Sequence, residues 1–175
     1  MAFSFTFRTP SDKSDLREAI DFLAKQNLGY PGYDSWVQRT EAELDSGYKT
    51  AILAYNDRAL VGDLIFQPHK QLSRVREIKN IRIHPGIRRR DFAHFMLKQA
   101  EIEGKAEFDA LICDAREDLS DIAGILYFSG YSKLAQANLY EKGTRDIVLV
   151  KIFQKENLEQ ISERIRKHVL EQAMK

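Results

Sequence analysis

The chain of 175 residues has one cysteine, four prolines and no uninterrupted apolar run longer than the five residues Ala51 to Tyr55. A lone Cys113 excludes an internal disulfide and fits a reducing cytoplasm, which is the expected location. The apolar runs fall far short of the roughly 20 residues that a membrane-spanning helix needs, so no membrane partner is expected. The first residues, Met-Ala-Phe-Ser-Phe-Thr-Phe-Arg, alternate apolar and polar. They lack the basic start and long apolar stretch of a secretory leader. Charge of either sign is not in excess: 27 Lys and Arg face 26 Asp and Glu. That balance argues against nucleic acid as a partner. His69, His84, His94 and His168 share no metal-binding spacing with Cys113 or with each other. No Walker loop or nucleophile elbow occurs either, so no metal and no covalent serine chemistry are expected.

What remains is an ordinary globular composition of a length that suits one domain. Phe3, Phe5 and Phe7 alternate with Ser4, Thr6 and Arg8 as in a half-buried strand. Thr9-Pro10-Ser11-Asp12 offers a turn and an N-cap for a helix carrying Leu16, Ala19, Ile20, Leu23 and Ala24, ended by Gly29. A Gly/Pro loop with Tyr30 and Tyr33 leads, through Asp34 as cap, to a second helix over Trp36, Val37, Thr40 and Leu44. Strands are expected at 49–55, 59–66 and 75–83, the first two joined by the short turn Asn56-Asp57-Arg58. A helix from about Arg88 follows, with Phe92, Phe95, Met96 and Ala100 on one face and Gly104 as its stop. A buried strand at 108–113, a helix at 119–128 and two strands at 131–140 and 146–153 come next. Leu158, Ile161, Ile165 and Val169 then form one stripe of a final helix. The order β α α β β β α β α β β α, without repeat or linker, predicts a single α+β domain over residues 1–153 with a mixed, mostly antiparallel sheet flanked by helices. Residues 154–175 add a C-terminal amphipathic helix, which either packs back on the sheet or joins two copies as a homodimer.

The neutral total hides an uneven distribution. Lys70 through Arg90 holds eight basic residues against Glu77 alone, whereas Glu101 to Asp121 has eight acids and two bases. The basic stretch runs from a strand through His84-Pro85-Gly86 into Arg88-Arg89-Arg90 at the expected helix start. Backbone N–H groups at a helix N-terminus are unpaired and carry the positive dipole end, so this geometry suits an anion such as a pyrophosphate. Arginine side chains add forked donors. The alternative is a solvated helix start, the usual fate of a charge run.

These residues resemble the GNAT superfamily of acyl-CoA N-acyltransferases, whose element order the chain follows over roughly residues 3 to 153. Glu77-Ile78-x-x-Ile81-x-Ile83-His84-Pro85 is similar to that family's fourth strand, and Arg88-x-x-Asp91-x-Ala93 to its Arg/Gln-x-x-Gly-x-Gly/Ala pyrophosphate loop. Ser120, Ala123, Tyr127, Gly130 and Tyr131 resemble the Asn-x-x-Ala…Tyr…Gly-Phe stretch, with the Tyr-to-Gly spacing one residue short. Asp91 stands where the family has its first loop glycine. An aspartate about 5 Å from a phosphate charge costs roughly 1 to 3 kcal/mol at effective dielectrics of about 80 to 20.

The resemblance implies an N-acetyltransferase that moves an acetyl group from acetyl-CoA to the amine of a small molecule or protein by direct attack. It implies coenzyme contacts from Ile81, Arg82, Ile83, Arg88, Arg89, Arg90, Asp91, Phe92 and Ala93, with Ile81 and Ile83 acting through backbone groups. Glu77 would be the general base, through water, and Tyr127 the general acid. Tyr30 and Tyr33 fall in the segment that shapes the acceptor site. Each has a plainer alternative: Glu77 as a surface carboxylate paired with Arg76 or Lys79, Tyr127 as a ring packing on Phe128 and Tyr131, and the loop tyrosines as packing over the sheet. Asp91 and the short Tyr127 segment motivate a second reading, a GNAT-fold acyl-CoA-binding or regulatory module without turnover.

Overall fold

Phe5 and Phe7 sit in β1 (Phe5–Arg8), which pairs antiparallel with β2 (Thr50–Asn56) from Phe5↔Asn56 to Arg8↔Leu53. The computed structural model describes residues 4–27, 29, 31–140 and 143–174, so Phe3 and Tyr30 lie outside the described residues. The further strands are β3 (Ala59–Pro68), β4 (Val75–Ile83), β5 (Ala110–Arg116), β6 (Ser132–Ala137) and β7 (Asp146–Ile152). The seven form a mixed sheet in the order β1-β2-β3-β4-β5-β7-β6. The helices are α1 (Lys13–Ala24), α2 (Tyr33–Asp45), α3 (Phe92–Gly104), α4 (Ser120–Phe128) and α5 (Leu158–Ala173). Contacts divide the chain into two compact units, Met1–Gln67 with Asn80–Gln99, and Pro68–Lys79 with Ala100–Lys175. The boundary cuts through β4 and α3. No helix among the described residues is long and apolar enough to cross a membrane.

In the first unit, Asp12 caps α1 as its position after Pro10 predicts: its Oδ1 accepts from the N–H groups of Ser14 at 2.8 Å and Asp15 at 3.0 Å. Gly32, not Asp34, is the N-cap of α2; its φ of 64° is a left-handed conformation that suits glycine, and Trp36 N–H bonds its carbonyl at 3.0 Å. The helix therefore starts one residue before Asp34. Ala19 and Leu23 of α1 pack with Tyr33, Val37 and Leu44 of α2 over Ala51, Leu53 and Tyr55 of β2 and Ile65 of β3. A β-carbon on Gly62 would meet Ile83 Cδ1 at 2.8 Å and the Arg82 carbonyl at 3.0 Å, so only glycine fits that position.

In the second unit, β4 and β5 pair in parallel from Val75↔Ala110 to Ile78↔Cys113, and β7 pairs antiparallel with both β5 and β6. Tyr131 precedes β6 rather than starting it. The stripe of α5 is partly as expected: Ile161, Ile165 and Val169 are buried with Val75, Ala110, Ile112, Leu134, Val148 and Val150, while Leu158 is exposed. The helix is thus covered within its own unit, and Arg166 Nε donates to the Leu134 carbonyl at 3.3 Å.

Candidate functional site

The first unit carries the strand-to-helix turn that the charge pattern singled out. His84 N–H bonds the Val61 carbonyl at 2.7 Å, tying the end of β4 to β3. His84 Nδ1 accepts the Gly86 N–H at 3.2 Å, and Pro85–Ile87 form one 3-10 turn. The helix does not open with the arginines. It starts at Phe92, and Arg88, Arg89 and Arg90 lie in the exposed turn before it. The physical reason is backbone conformation: Arg89 at φ 64° and Asp91 at φ 58° are left-handed, which stops an α-helix from extending back through them. Asp91 accepts the Phe95 N–H on its carbonyl at 2.9 Å, the bond that a residue just ahead of the first turn makes. Asp91 thus takes the positive φ for which glycine is the usual residue, a conformation aspartate tolerates better than most.

Around this turn, the carbonyl of Ile83 accepts from Arg88 Nε at 3.4 Å and that of Ile81 from Arg82 at 3.1 Å. Arg82 also reaches the Gln26 carbonyl at 3.3 Å. Phe92 is buried, its ring centroid 4.7 Å from that of Phe5 and 5.7 Å from that of Phe7, so only its backbone is available to a ligand. Tyr33 is 5% exposed, donates its hydroxyl to the Leu23 carbonyl at 2.8 Å and stacks on Trp36, which places it in the packing between α1 and α2.

This unit also holds a buried polar cluster that the sequence did not flag. Asp63 is fully buried on β3, and Asn80 Nδ2 donates to its Oδ2 at 2.7 Å. Burial pushes the Asp63 carboxyl up to about 7, against the opposing pull of Arg82 and the Asn80 bond.

The second unit contains a cavity of about 630 Å3. Its walls carry Glu77 from β4, Asp114 from β5, Tyr140, and His69 facing His168 of α5 with ring centroids 5.0 Å apart. Glu77 Oε1 is bonded by Lys79 Nζ at 2.9 Å, the partner that the plainer sequence alternative named. Asp114 is raised by burial, a rise that Lys79 and Tyr140 oppose and Glu77 reinforces. Tyr140 lines the same cavity and is 57% exposed. Lys79 is raised in net, the attraction of Asp114 and Glu77 outweighing burial. Burial lowers His69, whose Nδ1 accepts the N–H groups of Gln71 at 3.1 Å and Leu72 at 3.0 Å. Among the described residues no group of three or more His, Cys, Asp and Glu is placed to hold a metal ion.

Tyr127 lies on α4 and is 46% exposed. Tyr131, one turn later, is the buried aromatic of that stretch at 3% exposure, with Lys151 Nζ 5.6 Å from its ring centroid. Lys151 in turn bonds Glu101 at 2.7 Å and the Ser129 carbonyl at 2.6 Å. Glu77 is therefore brought to a cavity, whereas Tyr127 is placed on a helix surface. Asp114 and Tyr140 went unread in the sequence. The signal for Asp114 was a lone acid within the apolar run Leu111-Ile112-Cys113-Asp114-Ala115.

No protein-family model and no curated protein sequence matches the chain. Solved structures do. An acetyltransferase of the GNAT family from Streptococcus pneumoniae superposes with a TM-score of 0.71 at 12% identity, over 86% of this chain and 100% of that one. The ribosomal-protein-S18-alanine N-acetyltransferase of Escherichia coli gives 0.70 at 13% identity, over 86% and 95%. A Salmonella typhimurium protein solved with its cofactor acetyl-CoA gives 0.67 at 12% identity, over 86% and 95%. The chain has the GNAT acyltransferase fold.

Proposed function

We propose that the protein transfers an acetyl group from acetyl-CoA to an amine. The observation that carries this reading is the turn before α3, where two left-handed residues and three exposed arginines precede a thirteen-residue helix. That arrangement fits a pyrophosphate: the first N–H groups of α3 have no acceptor in the helix, and Arg88, Arg89 and Arg90 supply positive charge ahead of them. Asp91 lies beside this charge as the one opposing group. Ile81, Arg82 and Ile83 would meet the pantetheine arm, and Phe92 and Ala93 would contribute backbone N–H groups. Acetyl-CoA, as cosubstrate, supplies an activated acyl group.

In the reaction the neutral amine nitrogen attacks the acetyl carbonyl carbon, a C–N bond forms and the C–S bond breaks. A lysine-like amine is mostly ammonium at neutral pH, with a pKa near ~10, so a base must take a proton. The reading assigns that task to a carboxylate of the cavity that Glu77 lines, directly or through water. Tyr127, with its accessible ring, is the candidate for returning a proton to the departing thiolate. Neither step needs a covalent enzyme intermediate or a metal. A protein that works with acetyl-CoA in this way belongs in the cytoplasm.

The test is twofold. Acetyl-CoA at millimolar concentration raises the melting temperature, and free thiol appears when lysine, 1,4-diaminobutane or a short peptide with a free N-terminal amine is added. No thermal shift sinks the reading. A shift with no thiol across the panel favours the alternative, an acyl-CoA-binding module, for which Asp91 is the motivating residue.

A further inference from the structure

The structure assigns the proton-accepting role to Asp114, not to Glu77, with Lys79 as a positioning residue. The assignment rests on the acetyl-transfer reading and names a residue that neither the strand motif nor the fold's likeness singles out.

Three observations within the second unit carry it. The β4–β5 ladder ends at Ile78↔Cys113, so Lys79 and Asp114 are the next residues of their strands, beyond the last parallel pair. Backbone pairing between the two strands does not continue past that point. Second, Glu77 and Asp114 line the same cavity but are differently occupied. The Glu77 carboxylate is already bonded to the Lys79 ammonium at 2.9 Å, a partner that must be displaced or shared before Glu77 receives a proton. The Asp114 carboxyl lies on the same wall just beyond the end of the ladder, and the Glu77–Lys79 bond leaves it as the cavity's other strand-borne carboxylate. Third, the surroundings of Asp114 raise its proton affinity above that of an ordinary carboxylate: burial raises it, Glu77 and Asp146 reinforce that, and Lys79 and Tyr140 limit it. A general base works best when its affinity lies near the operating pH. His69, His168 and Glu171 complete the titratable wall of the cavity.

The step balances simply. Asp114 takes the proton that the amine nitrogen sheds as the C–N bond forms. The carboxylic acid then returns it to solvent through the cavity once the acetylated product has left. The Lys79 ammonium bonded to Glu77 offsets the charge that a second carboxylate brings to the cavity.

The experiment is steady-state kinetics of the full chain with acetyl-CoA and whichever of lysine, 1,4-diaminobutane and the N-terminal peptide the wild type acetylates, across pH 5 to 9. D114N is expected to lower kcat by about 100-fold or more, the scale of a lost general base. The KM for acetyl-CoA should stay within twofold, and the acid limb of the rate profile should vanish. D114E, which keeps the carboxyl, should recover at least a tenth of the wild-type rate and restore the limb. E77Q should lower kcat by less than tenfold and leave an acid limb in place. A D114N enzyme within threefold of wild type, or an E77Q enzyme that alone loses the acid limb, overturns the assignment. Should D114N not fold, D114E carries the decision: an unchanged acid limb there counts against Asp114. No thiol release by the wild type with any of the three amines overturns the acetyl-transfer reading itself, and this assignment with it.

Discussion

Asp63 and Asp114 are matched in sequence and opposed in surroundings. Each is one acid inside an apolar strand: Val61-Gly62-Asp63-Leu64-Ile65 in the first unit, Leu111-Ile112-Cys113-Asp114-Ala115 in the second. Burial raises both carboxyls. Asp63 is sealed: it is fully buried, bonded by Asn80, and flanked by the glycine that packs against Ile83. Asp114 lines a cavity of about 630 Å3, on whose wall Glu77 carries the Lys79 ammonium. The contrast shows that a raised carboxyl marks burial first. Chemistry requires, besides, a space that a substrate can enter.

The largest effect separating the two is on stability. The folded chain holds Asp63 at about 7, against an ordinary 3.8, so it binds this proton more tightly than the unfolded chain does. Stability from this group is therefore lost as pH rises from about 4 to 7 and is level above, by on the order of 4 kcal/mol for roughly three units. D63N removes the loss. Urea unfolding at pH 4, 6 and 8 should show the variant gaining on the wild type as pH rises; parallel curves would break the comparison.

A middle-sized effect separates the turn before α3, where the proposed function puts the coenzyme, from the sealed carboxyl in the same unit. Replacing Arg88, Arg89 and Arg90 together by alanine should weaken acetyl-CoA binding about tenfold, taking roughly 0.5 kcal/mol for each exposed ion pair. Calorimetric titration reads this, and the weakening should shrink in high salt because exposed pairs are screened. An unchanged affinity would return the arginines to the status of a solvated surface.

The smallest effect sharpens the other side. Lys79 lowers Asp114, so K79M should move the acid limb of the rate profile to higher pH while leaving the Asp63-dependent slope of stability in place. A limb that stays where it is would remove Lys79 from the positioning role.

Much of the fold was legible because its signals are local. The alternation of Phe5 and Phe7, the Asp12 cap and the Ile161, Ile165, Val169 stripe each name their element without help from distant residues. The start of α3 was not legible. Arg88 to Asp91 has helical composition, and only the left-handed backbone at Arg89 and Asp91 reveals a turn. Glu77 stood out by motif, but its bond to Lys79 and the cavity it shares with Asp114 and Tyr140 come from strand register and from a segment some 26 residues beyond Asp114. Nothing local distinguishes Asp114 from Asp63, since the neighbours that seal one and expose the other are brought in by tertiary packing.

The most direct measurement runs D63N and D114N side by side, as full chains, in one thiol-release assay with acetyl-CoA and a turned-over amine. The account predicts kcat within threefold of wild type for D63N and at least 100-fold lower for D114N, with acetyl-CoA KM little changed in either. Full activity in D114N, or a loss in D63N as deep as that in D114N, would contradict it.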